Sequence, residues 1–147
     1  MKKISLRVKE LNKEIEKYNI SFSKKAQASL LDNKIILIND KPTFFYYQKE
    51  LVPTLKFLQE RPILKKISID VNAIKFIVNG ADVMRPGIKE IEAGIVQDEI
   101  IMVIDVDNKK PLAVGIALLN SEEMLAASSG KVIKNIHYVG DEIWRTI

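Results

Sequence analysis

The chain has no cysteine, one histidine, one tryptophan and, in 147 residues, only six glycines and five prolines. Without cysteine there are no disulfides and no thiolate zinc site, which suits a reducing cytosol. No apolar run approaches the roughly 20 residues a membrane span needs. The N-terminus, M-K-K-I-S-L-R-V-K-E, lacks the apolar core of a signal peptide. We therefore expect a soluble, cytoplasmic protein that does not engage a membrane. The motifs G-x-S-x-G, H-E-x-x-H and G-x-G-x-x-G are missing, and no second metal-type residue stands at a ligand spacing from His137. His137 reads as a structural or hydrogen-bonding histidine. Ser128 to Lys131 ends in Gly-Lys but lacks the upstream glycine and following hydroxyl of a phosphate loop. Turn and cap roles account for Asp105, Asp107, Glu122 and Glu123. No catalytic residue, metal or cofactor is expected.

What is present is a core and an uneven charge. Hydrophobic residues make up 47% of the chain, enough for one domain or two small ones. Residues 1–67 hold 15 Lys and Arg against 7 Asp and Glu, whereas residues 68–147 hold 8 against 12. Such a sign change suggests two units, one of which could meet a polyanion; a solvated lysine surface gives the same composition. With no long linker between them, the two units are expected to pack together.

Val8, Leu11, Ile15 and Tyr18 form one apolar helical stripe. A-S-L-L, K-I-I-L-I and T-F-F-Y-Y, separated by D-N and N-D-K-P, predict an antiparallel meander. Its aromatics, Phe44 to Tyr47, are either core and cover or an exposed base-stacking strand. Pro53 suits the first turn of a helix, with Leu51, Leu55 and Leu58 on one face. L-K-K-I-S-I-D-V predicts a strand, and Asp70 or Asn72 can cap a helix that Gly80 ends. Long apolar runs on either side of V-D-N-K-K predict a buried hairpin. Asn120 with Glu123 matches a capping box. K-V-I-K-N-I-H-Y-V alternates as a strand. This second half suits a small barrel-like sheet.

The eight residues Gly80 to Gly87, G-A-D-V-M-R-P-G, combine two glycines, a proline and two charges. They read as a helix stop and turn, or as a fixed path that exposes backbone N–H groups to a ligand. Lys75, Arg85, Lys89, Lys131 and Lys134 supply five of the second half's eight positive charges. They either scatter over the surface or meet on one positive face.

A-I-K-F-I-V-N-G-A-D-V-M-R-P-G, P-L-A-V-G-I-A-L-L-N-S-E-E-M and I-H-Y-V-G-D-E-I-W resemble a PUA domain, the RNA-binding module of pseudouridine synthases and archaeosine transglycosylases. With K-P-T-F-F-Y-Y and L-V-P-T-L-K-F-L, nearly the whole chain is similar to the malignant-T-cell-amplified-sequence translation factors and their archaeal relatives. The resemblance implies an α+β protein: a small basic α/β domain over residues 1–67, packed on a PUA-like pseudo-β-barrel over 68–147. It implies a groove between the first helix, the following loop and the late strand. The RNA-binding candidates there are Lys75, Gly80, Ala81, Asp82, Val83, Met84, Arg85, Pro86, Gly87, Lys89, Lys131 and Lys134, with Arg85 as the loop's charged contact. The implied partners are structured RNA (tRNA or rRNA), the small ribosomal subunit and a protein with an initiation-factor-one-like domain, in initiation, re-initiation or recycling. Two other roles fit the same residues: an RNA-binding accessory to an RNA-modifying enzyme, and a protein-interaction module that has lost RNA binding.

Overall fold

The computed structural model describes residues 1–146, which divide into two compact units, one of residues 1–63 with Thr146, the other Leu64–Arg145. The division falls just before the charge change, and a strand spanning Lys66–Ile69 begins the second unit.

The first unit runs β1 (Lys3–Leu6), α1 (Val8–Glu14), a 3-10 turn, β2 (Ala28–Leu31), β3 (Ile35–Ile38), β4 (Lys41–Tyr47), β5 (Glu50–Pro53) and α2 (Leu55–Glu60). The five strands form an antiparallel meander in chain order. Two of its hairpins close through two residues in the left-handed region, Asn39-Asp40 at φ 50° and 65° and Gln48-Lys49 at φ 47° and 69°. Such turns match the right-handed twist of the strands they join. The apolar stripe of α1 packs on the sheet: Val8, Leu11 and Ile15 are buried with Ile36, Ile38, Phe44 and Leu51. Phe44 is fully buried; Tyr18 stacks on it, while Phe22 and Phe57 meet its ring at an angle. The aromatic strand is therefore core and cover. Pro53 corrects the expectation of a helical first turn, since it is the last residue of β5. Leu51 lies in the same strand, so it does not share the helix face of Leu55 and Leu58; the helix starts at Leu55, after Thr54, whose hydroxyl oxygen accepts from the Phe57 N–H at 3.2 Å and whose O–H donates to the Pro42 carbonyl at 2.8 Å.

The second unit comprises β6 (Lys66–Ile69), a 3-10 turn, α3 (Ile74–Ile77), β7 (Val83–Met84), a 3-10 turn (Arg85–Gly87), β8 (Ile88–Ile91), β9 (Ile100–Asp105), β10 (Pro111–Ala117), α4 (Ser121–Ala126), β11 (Lys131–Tyr138) and α5 (Glu142–Arg145). Its sheet order is β7-β11-β10-β9-β6-β8, with β6 and β9 parallel and the other pairs antiparallel. The two ends of this order, β7 and β8, are consecutive in the chain. The turn Arg85–Gly87 thus joins the two edges of one curled sheet and leaves a nearly closed barrel. Ile67, Ile69, Ile101, Val103, Met124 and Ile133 fill the interior. Asn120 and Glu123 form the full capping box on α4. Where β10 meets β11 a bulge inserts Ile136, and Gly115 lies beside it. A Cβ on Gly115 would fall 2.4 Å from Cγ2 of Ile133 and 2.8 Å from the carbonyl of Lys134, so only glycine lets these strands approach.

Candidate nucleic-acid interface

The segment Gly80 to Gly87 is fastened on both sides. Gly80 leaves α3 at φ +93°, and a Cβ there would meet the Tyr138 ring at 3.1 Å. Asn135 on β11 then stitches the segment down. Its backbone N–H donates to Asp82 Oδ1 at 2.8 Å, and its Nδ2 donates to the carbonyls of Ile77 and Ala81 at 3.0 Å each. Val83 and Met84 pair with Ile133 and Lys131. The Arg85 N–H donates to the Gly130 carbonyl at 2.8 Å, and the Gly87 carbonyl accepts from the Asp70 N–H at 2.8 Å. Gly87 faces Ala73, where an added Cβ would sit 3.3 Å from the alanine's own.

Two sequence expectations change here. The N–H groups of Gly80, Ala81 and Arg85 are all taken by carbonyls of the same unit, so they are not offered to a ligand. The Arg85 side chain is half-buried and turned to the protein: Nε donates to the Met124 carbonyl at 2.6 Å and Nη1 to the Ile88 carbonyl at 3.5 Å. What the segment presents outward is side chain, chiefly Met84 at 50% exposure, with Ala81 and Pro86.

The lysines fall into three places. Lys131 pairs with Asp82 at 2.8 Å, and Lys134 acts on the same carboxylate. Burial pushes the Asp82 pKa up, but the hydrogen bonds from Lys131 and the Asn135 N–H, with the charges of Lys131 and Lys134, outweigh it and hold the group below its ordinary value. Asp82, Met84, Lys131 and Lys134 are thereby brought together where β7 runs along β11. Lys75, on α3, has its ammonium 5.2 Å from the ring centroid of Phe76, which is 57% exposed. The end of α3 reaches β11 through Asn135. Lys89 lies on the β8 side instead, paired with Asp70 at 3.3 Å. Sequence reasoning singled out neither Phe76 nor Asn135. Only the shortness of α3, which cannot bury every side chain of I-K-F-I, could have pointed to Phe76.

His137, also on β11, is fully buried, its Nδ1 2.8 Å from Asp141 Oδ2. Asp141 also accepts from the N–H groups of Tyr138 and Trp144. Among the described residues no three His, Cys, Asp or Glu side chains converge as a metal site, and no helix is long and apolar enough to cross a membrane.

Residues 65–139 match the family model of the PUA domain, and residues 6–61 match a domain of unknown function, DUF1947. The chain is 42% identical over 145 residues to an uncharacterized protein of Methanocaldococcus jannaschii, covering 93% of this chain and 90% of the relative. It is 33% identical to translation machinery-associated protein 20 of Saccharomyces cerevisiae, covering 82% and 73%, and 31% identical to malignant T-cell-amplified sequence 1 of Rattus norvegicus, covering 76% and 64%. The chain belongs to this family of PUA-domain proteins. It spans somewhat under two thirds of the rat relative's length. Among solved structures, a hypothetical protein of Pyrococcus horikoshii superposes with a TM-score of 0.83 at 30% identity over 97% of this chain and 98% of the other. A chain in an H/ACA ribonucleoprotein bound to a substrate RNA superposes with a TM-score of 0.54 at 26% identity, over 65% of this chain and 29% of that one. In PUA terms, the Asp82–Lys131–Lys134 cluster lies between the segment after the first helix of the domain and its late strand.

Proposed function

We propose that this protein is a non-catalytic RNA-binding protein of translation, which takes a tRNA or a small-subunit rRNA element in initiation, re-initiation or recycling. The observation that carries the proposal is the meeting of Met84, Lys131 and Lys134 around Asp82, with the exposed Lys75–Phe76 pair on the helix that leads into the same segment, in a family with relatives named translation machinery-associated protein. Lys75, Lys131 and Lys134 act on phosphates, and the apolar Met84 and Phe76 faces suit sugar and base. Gly80, Ala81, Asp82, Val83, Pro86 and Gly87 set the path of the segment, and Arg85 holds it in place from inside. Lys89, on the far side of Gly87, marks the edge of the footprint. The small ribosomal subunit and a separate protein with an initiation-factor-one-like domain are the proposed assembly partners, in the cytoplasm.

Binding of tRNA and of a small-subunit rRNA fragment at 50 and 200 mM salt tests this. Three or four phosphate contacts predict a loss of roughly 40- to 150-fold across that range. Lys131→Ala combined with Lys134→Ala is expected to weaken binding at unchanged fold. Salt-independent binding, or an unaffected double variant, would sink the proposal. The likeness to a chain of an H/ACA ribonucleoprotein supports a second reading, an accessory of an RNA-modifying enzyme. Co-purification with ribosomal subunits or with a modification enzyme separates the two.

A further inference from the structure

The first unit contains a feature that the barrel's interface does not use. A cavity of about 420 Å³ opens between the β3–β4 turn and α2, within the range of roughly 300–1,000 Å³ typical of small-ligand sites. Phe22, Ile38 and Phe57 give it an apolar and aromatic floor. Lys41, Lys56 and Arg61 stand at its wall, with Glu60 as the single carboxylate. Elsewhere the exposed lysines are commonly neutralised by a carboxylate, as in Lys3–Asp40, Lys17–Glu50, Lys65–Glu99 and Lys131–Asp82. Lys41 and Arg61 enter no ion pair among the described residues. The Arg61 guanidinium instead lies over the Phe57 ring, 5.6 Å from its centroid.

We propose that this cavity takes one unpaired nucleotide of an RNA, with the base against the Arg61 guanidinium where it lies over Phe57 and its phosphate between Lys41 and Lys56. Three features select that occupant. The Arg61 guanidinium, held over the edge of the core at Phe57, is a planar cation on which a base of any identity can lie. Cations beside an apolar floor suit a ligand that is anionic at one end and apolar at the other, as a nucleotide is. Glu60 at the same wall repels a ligand that is anionic throughout but can accept from a base amine. The unit's excess of Lys and Arg supplies long-range attraction for the rest of the strand. This site lies wholly within residues 22–61 and does not require the barrel to bind RNA.

Titration of the full chain with AMP and with UMP, followed through the NMR signals of Ile38 and Thr43, tests the inference. Inorganic phosphate and an acidic peptide, acetyl-Glu-Phe-Asp-amide, serve as the other probes. Both mononucleotides are expected to shift these signals, with affinity at least tenfold weaker in Lys41→Ala/Arg61→Ala and unchanged in Lys110→Ala, at an exposed lysine outside both sites. Lys41→Glu, at an exposed position opening β4, is expected to weaken binding as well and disturbs no packed ring. The inference is overturned if neither mononucleotide shifts the signals, or if phosphate alone reproduces the shifts. It is equally overturned if the peptide binds in preference, or if the variants bind like the parent. Loss of tRNA binding in Lys131→Ala/Lys134→Ala is read separately and reports on the barrel alone.

Discussion

Arg85 donates its Nε–H to the Met124 carbonyl at 2.6 Å, across 39 residues of sequence. A cation in a Pro-Gly segment is thus spent on holding the segment to α4. Arg85→Ala is expected to destabilise the second unit by about 1.5–3 kcal/mol, the range for a hydrogen bond to a charged group. Chemical denaturation measures the loss. At temperatures where the variant stays folded, tRNA affinity should fall by much less than in Lys131→Ala/Lys134→Ala.

If RNA takes the proposed surface, Asp82 competes with it for Lys131, the two side chains being paired at 2.8 Å. An exposed pair of this kind is worth only about 0–1 kcal/mol to folding. Asp82→Asn keeps an oxygen for the Asn135 N–H but releases the lysine and removes a negative charge from the interface. Stability should hardly change, while RNA binding should tighten several-fold. Weaker binding in this variant would argue that Asp82 itself contacts the RNA.

Gly115 allows no side chain. An added methyl group must displace either Ile133 or the β11 backbone at Lys134. Gly115→Ala is expected to cost about 1–3 kcal/mol, as overpacked cores do. It should also weaken RNA binding through the displaced Lys134 even where the protein remains folded.

Asp141 gives the acid limb of the stability curve. Burial pushes its pKa up, but hydrogen bonds from His137 and the N–H groups of Trp144 and Tyr138, together with the charge of His137, lower it below the ordinary 3.8. A carboxyl depressed in the folded state contributes stability that is fully present above its unfolded pKa and is lost as pH falls through the folded one. Urea midpoints should therefore drop as pH is taken below about 4. Asp141→Asn should flatten part of that drop and lower stability at pH 7. Asp82 contributes in the same direction.

Much of the architecture was legible because local chemistry and global fold agree there. The α1 stripe, the turn at Asn39-Asp40, the hairpin around Asp107 and the Asn120–Glu123 box each state their structure in a few residues. The strand β5 was not legible, since Gln48-Lys49 adopts a turn that sequences usually mark with Asn or Gly. An exposed edge, Lys3–Leu6, hid β1 in the same way. In the interface the lysines and the segment could be named, but not their pairing. Whether Arg85 faces solvent or Met124 depends on a carbonyl 39 residues away, and no local pattern encodes that.

Because β7 and β8 are the two lateral edges of one sheet and a single three-residue turn connects them, a cut within Arg85–Gly87 would bare two rows of backbone donors and acceptors at once. Open edges of that kind recruit other strands. The segment that shapes the proposed RNA surface therefore also guards the molecule against sticking to itself, and a chain nicked there should associate and precipitate.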